Sequence, residues 1–278
     1  MEKEEIKKAV RERYGNIAKQ GSSCCGPVES CCGSKDSAQV VSRNIGYSEE
    51  ELQAVPEGAN MGLGCGNPTA LASLKEGETV LDLGSGAGFD CFLAARQVGS
   101  TGKVIGVDMT AEMLERAREN ARKGDFGNVE FRLGEIENLP VGDNQMDIII
   151  SNCVINLSQN KKRVFQEAFR VLRPGGRLMV SDIVLLKELP DEIRNSVAAY
   201  VACIAGATTK REYLETIQAA GFEETKVLGE AAYSAELLAN DPIAVEVGKN
   251  LKLSREKARD LANSIVSIKI SAIKPAAR

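Results

Sequence analysis

Short apolar runs and longer segments with one apolar face alternate through the middle of the chain. The apolar runs are bounded by glycine or polar residues and predict strands over residues 79–83, 103–107, 129–133, 146–150 and 177–182. The segments between them predict helices that begin near residue 89 or span residues 111–122 and 161–172; Thr110 is the expected N-cap of the second, and a turn is expected at residues 173–176. This alternation is typical of a parallel sheet with helices on both faces. We therefore predict an α/β fold with a doubly wound, Rossmann-like sheet.

The same pattern divides the chain into three regions. Residues 1–67 form a Cys-rich N-terminal extension with one short helix, predicted over residues 4–14. Residues 68–186 carry the alternating strands and helices. Residues 187–278 form a smaller α+β region with a predicted helix over 210–220 closed by Gly221, a strand near 226–228, a helical stretch at 254–264 and a terminal strand at 265–273.

The charge pattern limits the partners of this protein. The 278 residues carry a net charge of −4, and Lys and Arg are scattered without a basic stripe, so we expect no nucleic-acid partner. No apolar run approaches the length of a membrane span, and the start of the chain lacks a secretory segment, so we expect a cytoplasmic protein without a membrane partner. No long heptad requires an oligomer, so we expect a monomer.

Histidine is absent from the sequence, which contains eight cysteines. This absence excludes the usual general base, histidine-activated nucleophiles and zinc sites with histidine ligands. In a reducing compartment the cysteines are expected as thiols. The chemistry must therefore use cysteine, carboxylate or a cofactor.

A glycine-rich turn follows the first predicted strand and precedes a helix. Its glycines follow the pattern Gly-x-Gly-x-Gly, at Gly84, Gly86 and Gly88, whereas the dinucleotide fingerprint would place its third glycine at Phe89. A second acid, Asp108, follows the next strand, where a carboxylate accepts hydrogen bonds from ribose hydroxyls. Together the two motifs resemble those of the S-adenosylmethionine-dependent methyltransferases.

This resemblance predicts S-adenosylmethionine as the cofactor and a set of residues around it. The glycine turn, with Ser85, is expected to face the methionine portion, and Asp82 is expected to position the turn or to receive the ammonium group. The remaining expected contacts are Asp108 with the ribose, Met109 with the adenine face, Glu135 beside Ile136 with the adenine amino group, and Asn152 with the methionine portion.

The cysteines are placed unusually along the chain. Four form the adjacent pairs Cys24-Cys25 and Cys31-Cys32, which lack the spacing of a zinc knuckle; they are either a thiol pair for a soft ion or an exposed tail. Cys65 lies between glycines, Cys153 follows the fourth strand at the carboxyl end of the sheet, and Cys203 lies in the helical region beyond it. Cys91, in the helix after the glycine turn, is expected in the core.

Four sequence segments, together with Cys203, resemble motifs of the arsenite S-adenosylmethionine methyltransferases. They are LGCGNP at 63–68, LDLGSG at 81–86, IGVDMT at 105–110 and SNCVINL at 151–157. The resemblance implies that Cys65, Cys153 and Cys203 bind trivalent arsenic as catalytic residues, and that an extension cysteine, for which Cys32 is the candidate, pairs with Cys65 during turnover. It also implies arsenite and methylarsenite as substrates, thioredoxin or glutathione as reductant, and a role in detoxification.

The chemistry of arsenic agrees with these residues. Trivalent arsenic is soft and prefers thiolates to nitrogen and oxygen donors, and its lone pair attacks the methyl group of S-adenosylmethionine without a general base. Three alternatives are a methyltransferase for carbon or oxygen of a small metabolite, a metalloid- or zinc-binding protein without catalysis, and a thiol redox sensor.

Overall fold

The computed structural model describes residues 3–20, 36–232 and 260–276. Within these residues seven strands form one sheet in the order β3-β2-β1-β4-β5-β7-β6. Strands β1 to β5 pair in parallel, and β7 runs antiparallel between β5 and β6. The bounds are β1 Thr79–Leu83, β2 Lys103–Asp108, β3 Val129–Leu133, β4 Met146–Asn152, β5 Leu172–Leu185, β6 Glu223–Ala232 and β7 Ile265–Ile273. The strands predicted from the apolar runs are confirmed, and β1, flanked by β2 and β4, marks the point where the strand order reverses.

Helices cover the sheet and extend beyond it. Those that the structure describes are α1 Lys3–Gln20, α2 Asp36–Asn44, α3 Glu49–Gln53, α4 Thr69–Ala72, α5 Phe89–Val98, α6 Ala111–Lys123, α7 Lys161–Val171, α8 Asp191–Arg194, α9 Val197–Val201 and α10 Lys210–Ala219, with a 3-10 turn at Ile155–Leu157. None of these described helices is both long and apolar enough to cross a membrane.

Alternate side chains along each strand face opposite sides of the sheet and pack in two separate parts of the core. Leu81 and Ile149 pack on one face with the α7 residue Phe165. Val80 and Ile148 pack on the other face, in the cluster that holds residues of α5 and α6. This alternation confirms the doubly wound arrangement, because the central parallel strands β1 and β4 are buried on both sides.

Helix α1 is longer than the helix predicted over residues 4–14. Its second half is stabilised by tertiary contacts, because Ile17 and Ala18 pack against Met61, Ala87 and Met113. The sequence of the extension alone does not show these partners, which lie far along the chain. The helix therefore extends to Gln20.

One local prediction is wrong. The segment predicted as a turn at 173–176 belongs to β5: Gly175 donates to the carbonyl oxygen of Lys274, and Lys274 donates to that of Gly176, at 2.8 and 2.9 Å.

Thr110 is the N-cap residue of α6, as predicted, although its side chain makes no capping hydrogen bond. Its backbone N–H donates to Asp108 Oδ1 at 2.8 Å, so the two residues form a turn after β2.

The C-terminal region completes the sheet. Helix α10 ends where predicted, and Gly221 follows it with φ +104°, a left-handed conformation that favours glycine. Strand β7 has the predicted bounds, and β6 is longer than predicted. Most of the helical stretch predicted at 254–264 lies outside the described residues, although residues 260–262 are helical. The three-region division at 67/68 and 186/187 stays a prediction.

Candidate active site

A deep cavity opens at the carboxyl ends of β1, β2 and β4. Its walls are the glycine turn after β1, the Asp108 turn after β2, residues 134, 136 and 137 after β3 and residues 152–154 at the end of β4. Residues 59–64 and the α1 side chains Lys7, Val10 and Tyr14 close it from the opposite side. The cavity lies where doubly wound sheets bind their ligands, at the reversal of strand order.

The glycine turn brings the main chain to the cavity wall. Gly84 has φ +70°, and a Cβ atom there would lie 2.4 Å from Val154 Cγ2, so a larger residue would displace the end of β4. Nothing lies within 4 Å of the corresponding position at Gly86, which therefore presents bare backbone to the cavity. Ser85 lines the cavity as well, and its buried hydroxyl has no hydrogen-bond partner among the described residues.

Asp108 closes the turn from the side of β2. Its Oδ2 accepts from Gly86 N at 3.0 Å and its Oδ1 from Thr110 N at 2.8 Å. Burial raises the pKa of Asp108, and these backbone hydrogen bonds oppose the rise. Each carboxylate oxygen retains a lone pair for a further donor. Asp108 and its neighbour Met109 both line the cavity.

Two buried acids form the base of the cavity. Asp82 accepts a hydrogen bond from the thiol of Cys91 at 3.2 Å, and Cys91 is fully buried, as predicted. Asp90 accepts from Tyr47 Oη at 2.6 Å and from Asn152 Nδ2 at 3.1 Å. Burial raises the pKa of both carboxyls, that of Asp90 to about 6.

Sequence reasoning missed Asp90 and Tyr47. The signal for Asp90 was its place in the first turn of α5, directly after the glycine turn. Tyr47 lies 43 residues from Asp90 in sequence, and no local pattern shows that contact.

The Asn152 side chain joins the two halves of the site. Its Oδ1 accepts from Cys65 N at 3.0 Å, and its Nδ2 lies 2.9 Å from Tyr47 Oη and 2.8 Å from the carbonyl oxygen of Gly66. The amide therefore connects the Cys65 loop to the base of the cavity. Its predicted contact with the methionine portion stays a prediction.

Two residues predicted to bind the cofactor lie outside the cavity lining. Gly88 is the N-cap of α5, and Cβ atoms there would meet Phe131 and Phe92 at 2.8 Å. The carboxylate of Glu135 points to α1, where it forms ion pairs with Lys7 and Arg11, each at 2.7 Å. Ile136, which was predicted, and Glu137, which was not, line the cavity instead.

Replacing Glu135 by Gln tests whether α1 closes the cavity over the cofactor. The change removes the charge from both ion pairs, which are partly exposed and together contribute up to about 1 kcal/mol, so we expect S-adenosylmethionine to bind up to about fivefold more weakly. Calorimetric titration measures the affinity. The control is Glu130→Gln, which breaks ion pairs on β3 with Lys103 and Arg132, away from α1. Equal losses in the two variants would contradict the role of α1.

Three of the predicted cysteines lie together at the end of this cavity. Cys65, Cys153 and Cys203 are each at most 9% exposed and belong to one apolar cluster. The Cys203 thiol donates to the carbonyl oxygen of Cys153 at 3.2 Å, and Cys153 also lines the cavity. Cys65 and Cys153 are 88 positions apart in the sequence, and Cys153 and Cys203 are 50 positions apart. The structure brings all three together. Cys24, Cys25, Cys31 and Cys32 lie outside the described residues.

Burial and the neighbouring thiols shift the pKa values of the three cysteines. Contact with Cys203 lowers the pKa of Cys153, but contact with Cys65 and burial outweigh it, and the pKa is raised well above its usual value. Contact with Cys153 and burial raise the pKa of Cys203 strongly. Burial also raises the pKa of Cys65, where contact with Cys153 opposes the rise, and the Cys65 thiol donates to the carbonyl oxygen of Ser181 at 3.5 Å. The pKa of Cys65 is therefore raised least.

Both Cys153 and Cys203 have left-handed backbone conformations, with φ +57° and +62°. A non-glycine residue in this region costs about 1–3 kcal/mol and persists where its surroundings enforce it. The conformations direct the two thiols toward each other from different loops. Sequence reasoning gave no sign of this strain.

Asp182 is the acid nearest to the thiols. One of its carboxylate oxygens and the Sγ atoms of Cys65 and Cys153 all lie within 4.8 Å of one another. Its carboxylate accepts from Tyr213 Oη at 2.8 Å, Asn156 Nδ2 at 2.9 Å and Ile183 N at 2.8 Å. Sequence reasoning placed Asp182 at the carboxyl end of a strand but not in the site.

The pH dependence of stability tests the burial of Asp182. Burial raises its pKa to about 6 from 3.8, so the folded state binds more protons than the unfolded state between these values. Stability from this group therefore falls as pH rises through that window. We expect the unfolding temperature of the reduced, ligand-free protein to fall between about pH 4 and pH 6. The fall should be shallower in Asp182→Asn, and an unchanged slope would assign it to other groups.

Comparison with known proteins places this geometry in a family. A family model described as a methyltransferase domain matches residues 74–221. An arsenite methyltransferase from Halobacterium salinarum is 45% identical over 98% of this chain and 68% of its own length. The human arsenite methyltransferase is 36% identical over 78% of this chain, which spans 58% of that protein.

A solved structure agrees with the sequence comparisons. The arsenic(III) S-adenosylmethionine methyltransferase from Chlamydomonas reinhardtii superimposes with a TM-score of 0.60 and 32% identity, covering 84% of this chain and 73% of that one. The resemblance predicted from the motifs is confirmed. The chain therefore belongs to the arsenite methyltransferases, enzymes that use S-adenosylmethionine to methylate arsenic.

Proposed function

We propose that this chain by itself transfers the methyl group of S-adenosylmethionine to trivalent arsenic bound by Cys65, Cys153 and Cys203. The observation that carries the proposal is the burial of these three thiols in one cluster, with Cys153 also in the wall of the cofactor cavity. The chain spans 58 to 68% of the length of the relatives described above, so its own methylation activity requires a direct test.

The cavity residues suit the cofactor. The unpartnered Ser85 hydroxyl and the exposed backbone of Gly86 are available to its polar methionine end, and the free lone pairs of Asp108 suit ribose hydroxyls. The acids Asp82 and Asp90 suit an ammonium group. When bound, S-adenosylmethionine supplies an electrophilic methyl group on a positively charged sulfur.

The thiols carry out the first part of the reaction. Arsenous acid, As(OH)3, condenses with three thiols to give three As–S bonds, and each thiol proton leaves with a hydroxyl group as water. Cys65 has the least raised pKa of the three and is expected to react first. The cluster then holds arsenic with its lone pair free, and the cavity wall sets the direction of attack. No residue has to remove a proton during methyl transfer.

Transfer of a methyl cation oxidises arsenic formally from the trivalent to the pentavalent state. Two cysteines return the two electrons by forming a disulfide, which we assign to Cys65 with Cys32 of the extension: the Cys32 thiol loses its proton and attacks the Cys65 sulfur, and the As–S bond of Cys65 breaks with its electron pair left on arsenic. A dithiol such as thioredoxin, or two molecules of glutathione, then restores both thiols. A cytoplasmic location supplies these reductants, and we propose that the enzyme acts there as a monomer in arsenic detoxification.

The test is direct methylation by the purified chain. Reduced protein is incubated with S-adenosylmethionine, arsenite and a thiol reductant, and methylated arsenicals and S-adenosylhomocysteine are measured by mass spectrometry. We expect both products to accumulate over several turnovers. Arsenic bound without S-adenosylhomocysteine would indicate a sequestering protein, and cofactor binding without methylarsenic would indicate a different methyl acceptor.

A further inference from the structure

The loop that carries Cys203 follows α9, and the backbone of Cys203 itself is left-handed, with φ +62°. Ile204 N and Ala205 N both donate to the carbonyl oxygen of Ala199 at 3.0 Å, so these hydrogen bonds join the loop to α9. The next regular pairing, with the sheet, is at residue 208, whose carbonyl oxygen accepts from Leu185 N at 2.9 Å. The position of the third thiol relative to the other two therefore also depends on what joins the residues before that pairing to the segment after Cys153.

Gly206 packs this loop against the segment that follows Cys153. A Cβ atom at Gly206 would lie 2.0 Å from the carbonyl oxygen of Asn156, so the loop packs directly on the backbone of the 3-10 turn after Cys153. The Asn156 side chain in turn donates to Asp182, beside the thiols. The arrangement transmits any shift of the loop to the arsenic site.

The side chain of Lys161 stabilises this packing by hydrogen bonds. Its ammonium group donates to the carbonyl oxygen of Gly206 at 2.6 Å, and it lies 3.4 Å from that of Ser158. One long side chain at the start of α7 thus joins the Cys203 loop to the turn that follows Cys153. Burial lowers the pKa of Lys161, as expected for an ammonium group withdrawn from water.

We propose that Lys161 is a positioning residue that holds the Cys203 loop so that the third thiol reaches arsenic. The inference rests on the proposed three-thiol site. Without the ammonium group, the loop is free to relax the left-handed backbone at Cys203 and to withdraw its thiol. Arsenic then keeps two sulfur ligands and one hydroxyl group, whereas the cofactor cavity, which Lys161 does not line, is unchanged.

The test combines affinity with a count of arsenic–sulfur bonds. Lys161→Met is compared with Lys161→Arg, which restores a cationic donor, and with Lys162→Met, which removes a charge from the exposed neighbouring position. Arsenic K-edge X-ray absorption gives the number of sulfur ligands in the reduced protein without cofactor. Equilibrium dialysis gives arsenite affinity, and calorimetry gives S-adenosylmethionine affinity.

We expect three sulfur ligands in the unmodified protein and two in Lys161→Met, with arsenite binding about tenfold weaker, the loss expected for one hydrogen bond from a charged donor. S-adenosylmethionine affinity should not change. Lys161→Arg should recover part of the arsenite affinity, and Lys162→Met should match the unmodified protein. Gly206→Ala provides an independent test, because it displaces the same loop without changing Lys161.

Each outcome bears on one proposal. Three sulfur ligands and unchanged arsenite affinity in Lys161→Met would overturn the role of Lys161. If Lys161→Met does not fold, three sulfur ligands and full affinity in Gly206→Ala would overturn it. Fewer than three sulfur ligands in the unmodified protein would instead overturn the three-thiol site itself.

Discussion

Replacing Cys153 by Ser abolishes measurable arsenic methylation, by our expectation, while S-adenosylmethionine still binds. Cys153 is the thiol that belongs both to the three-cysteine cluster and to the lining of the cavity, so under the proposed function its loss removes the arsenic ligand nearest the methyl group. Loss of residues that only support a metal ligand costs about 10–100-fold, so loss of a ligand itself should reduce the rate by at least about 100-fold. A hydroxyl group does not replace a thiolate for a soft element.

The measurement is the rate of methylarsenic formation at saturating cofactor, with cofactor affinity from calorimetry. Cys91→Ser is the matched control, because Cys91 is fully buried but outside the arsenic cluster, and a serine hydroxyl retains the hydrogen bond to Asp82. We expect this control to keep most of the activity. Full activity in Cys153→Ser would exclude Cys153 as an arsenic ligand.

Replacing Asp108 by Asn has the second largest expected effect, on cofactor binding. The carboxylate accepts two backbone N–H groups and keeps lone pairs for the ribose, whereas an amide presents N–H donors to one of those same groups. Losing hydrogen bonds to a charged acceptor should weaken S-adenosylmethionine binding by about 1–3 kcal/mol, or about 5–150-fold. Calorimetry measures this loss.

Arsenite affinity separates a local from a general effect of this change. We expect arsenite affinity to be the same in Asp108→Asn as in the unmodified protein, because the three thiols lie on other loops. Asp191→Asn, at an exposed position in α8, controls for loss of one acidic charge. Unchanged S-adenosylmethionine affinity in Asp108→Asn would remove Asp108 from the cofactor site.

The sheet and the glycine turn could be predicted because local sequence determines them. Strands β1, β2 and β4 are short apolar runs between polar residues, and the parallel pairs β1–β2, β2–β3 and β4–β5 each join strands that are consecutive along the chain. The turn at Gly84 requires a left-handed residue beside the close contact with Val154. Composition also contributed, because the absence of histidine limits the kinds of ligand that a site of three cysteines can bind and the reactions that it can support.

The rest of the site depends on packing between distant segments. Tyr47 joins Asp90, and Asp182 joins the thiols, through contacts that no periodicity reports. Glu135 illustrates the same limit, because its position suggested the adenine pocket whereas two cations on α1 turn its carboxylate away. In the sequence Lys161 is an ordinary charged residue at the start of a helix. Only the fold places its ammonium group beside the carbonyl oxygen of Gly206.

The helix α1 has a consequence for how the enzyme assembles. Tyr14 donates to the carbonyl oxygen of Val201 at 3.4 Å across 187 residues, and Val10 packs in the same cluster as Tyr200 and Val201. Contacts that close so long a loop form after the more local pairings of the sheet, because their entropic cost is met only by structure already present. The five parallel strands therefore pair before α1 closes the cavity, and competence to fold precedes competence to bind cofactor.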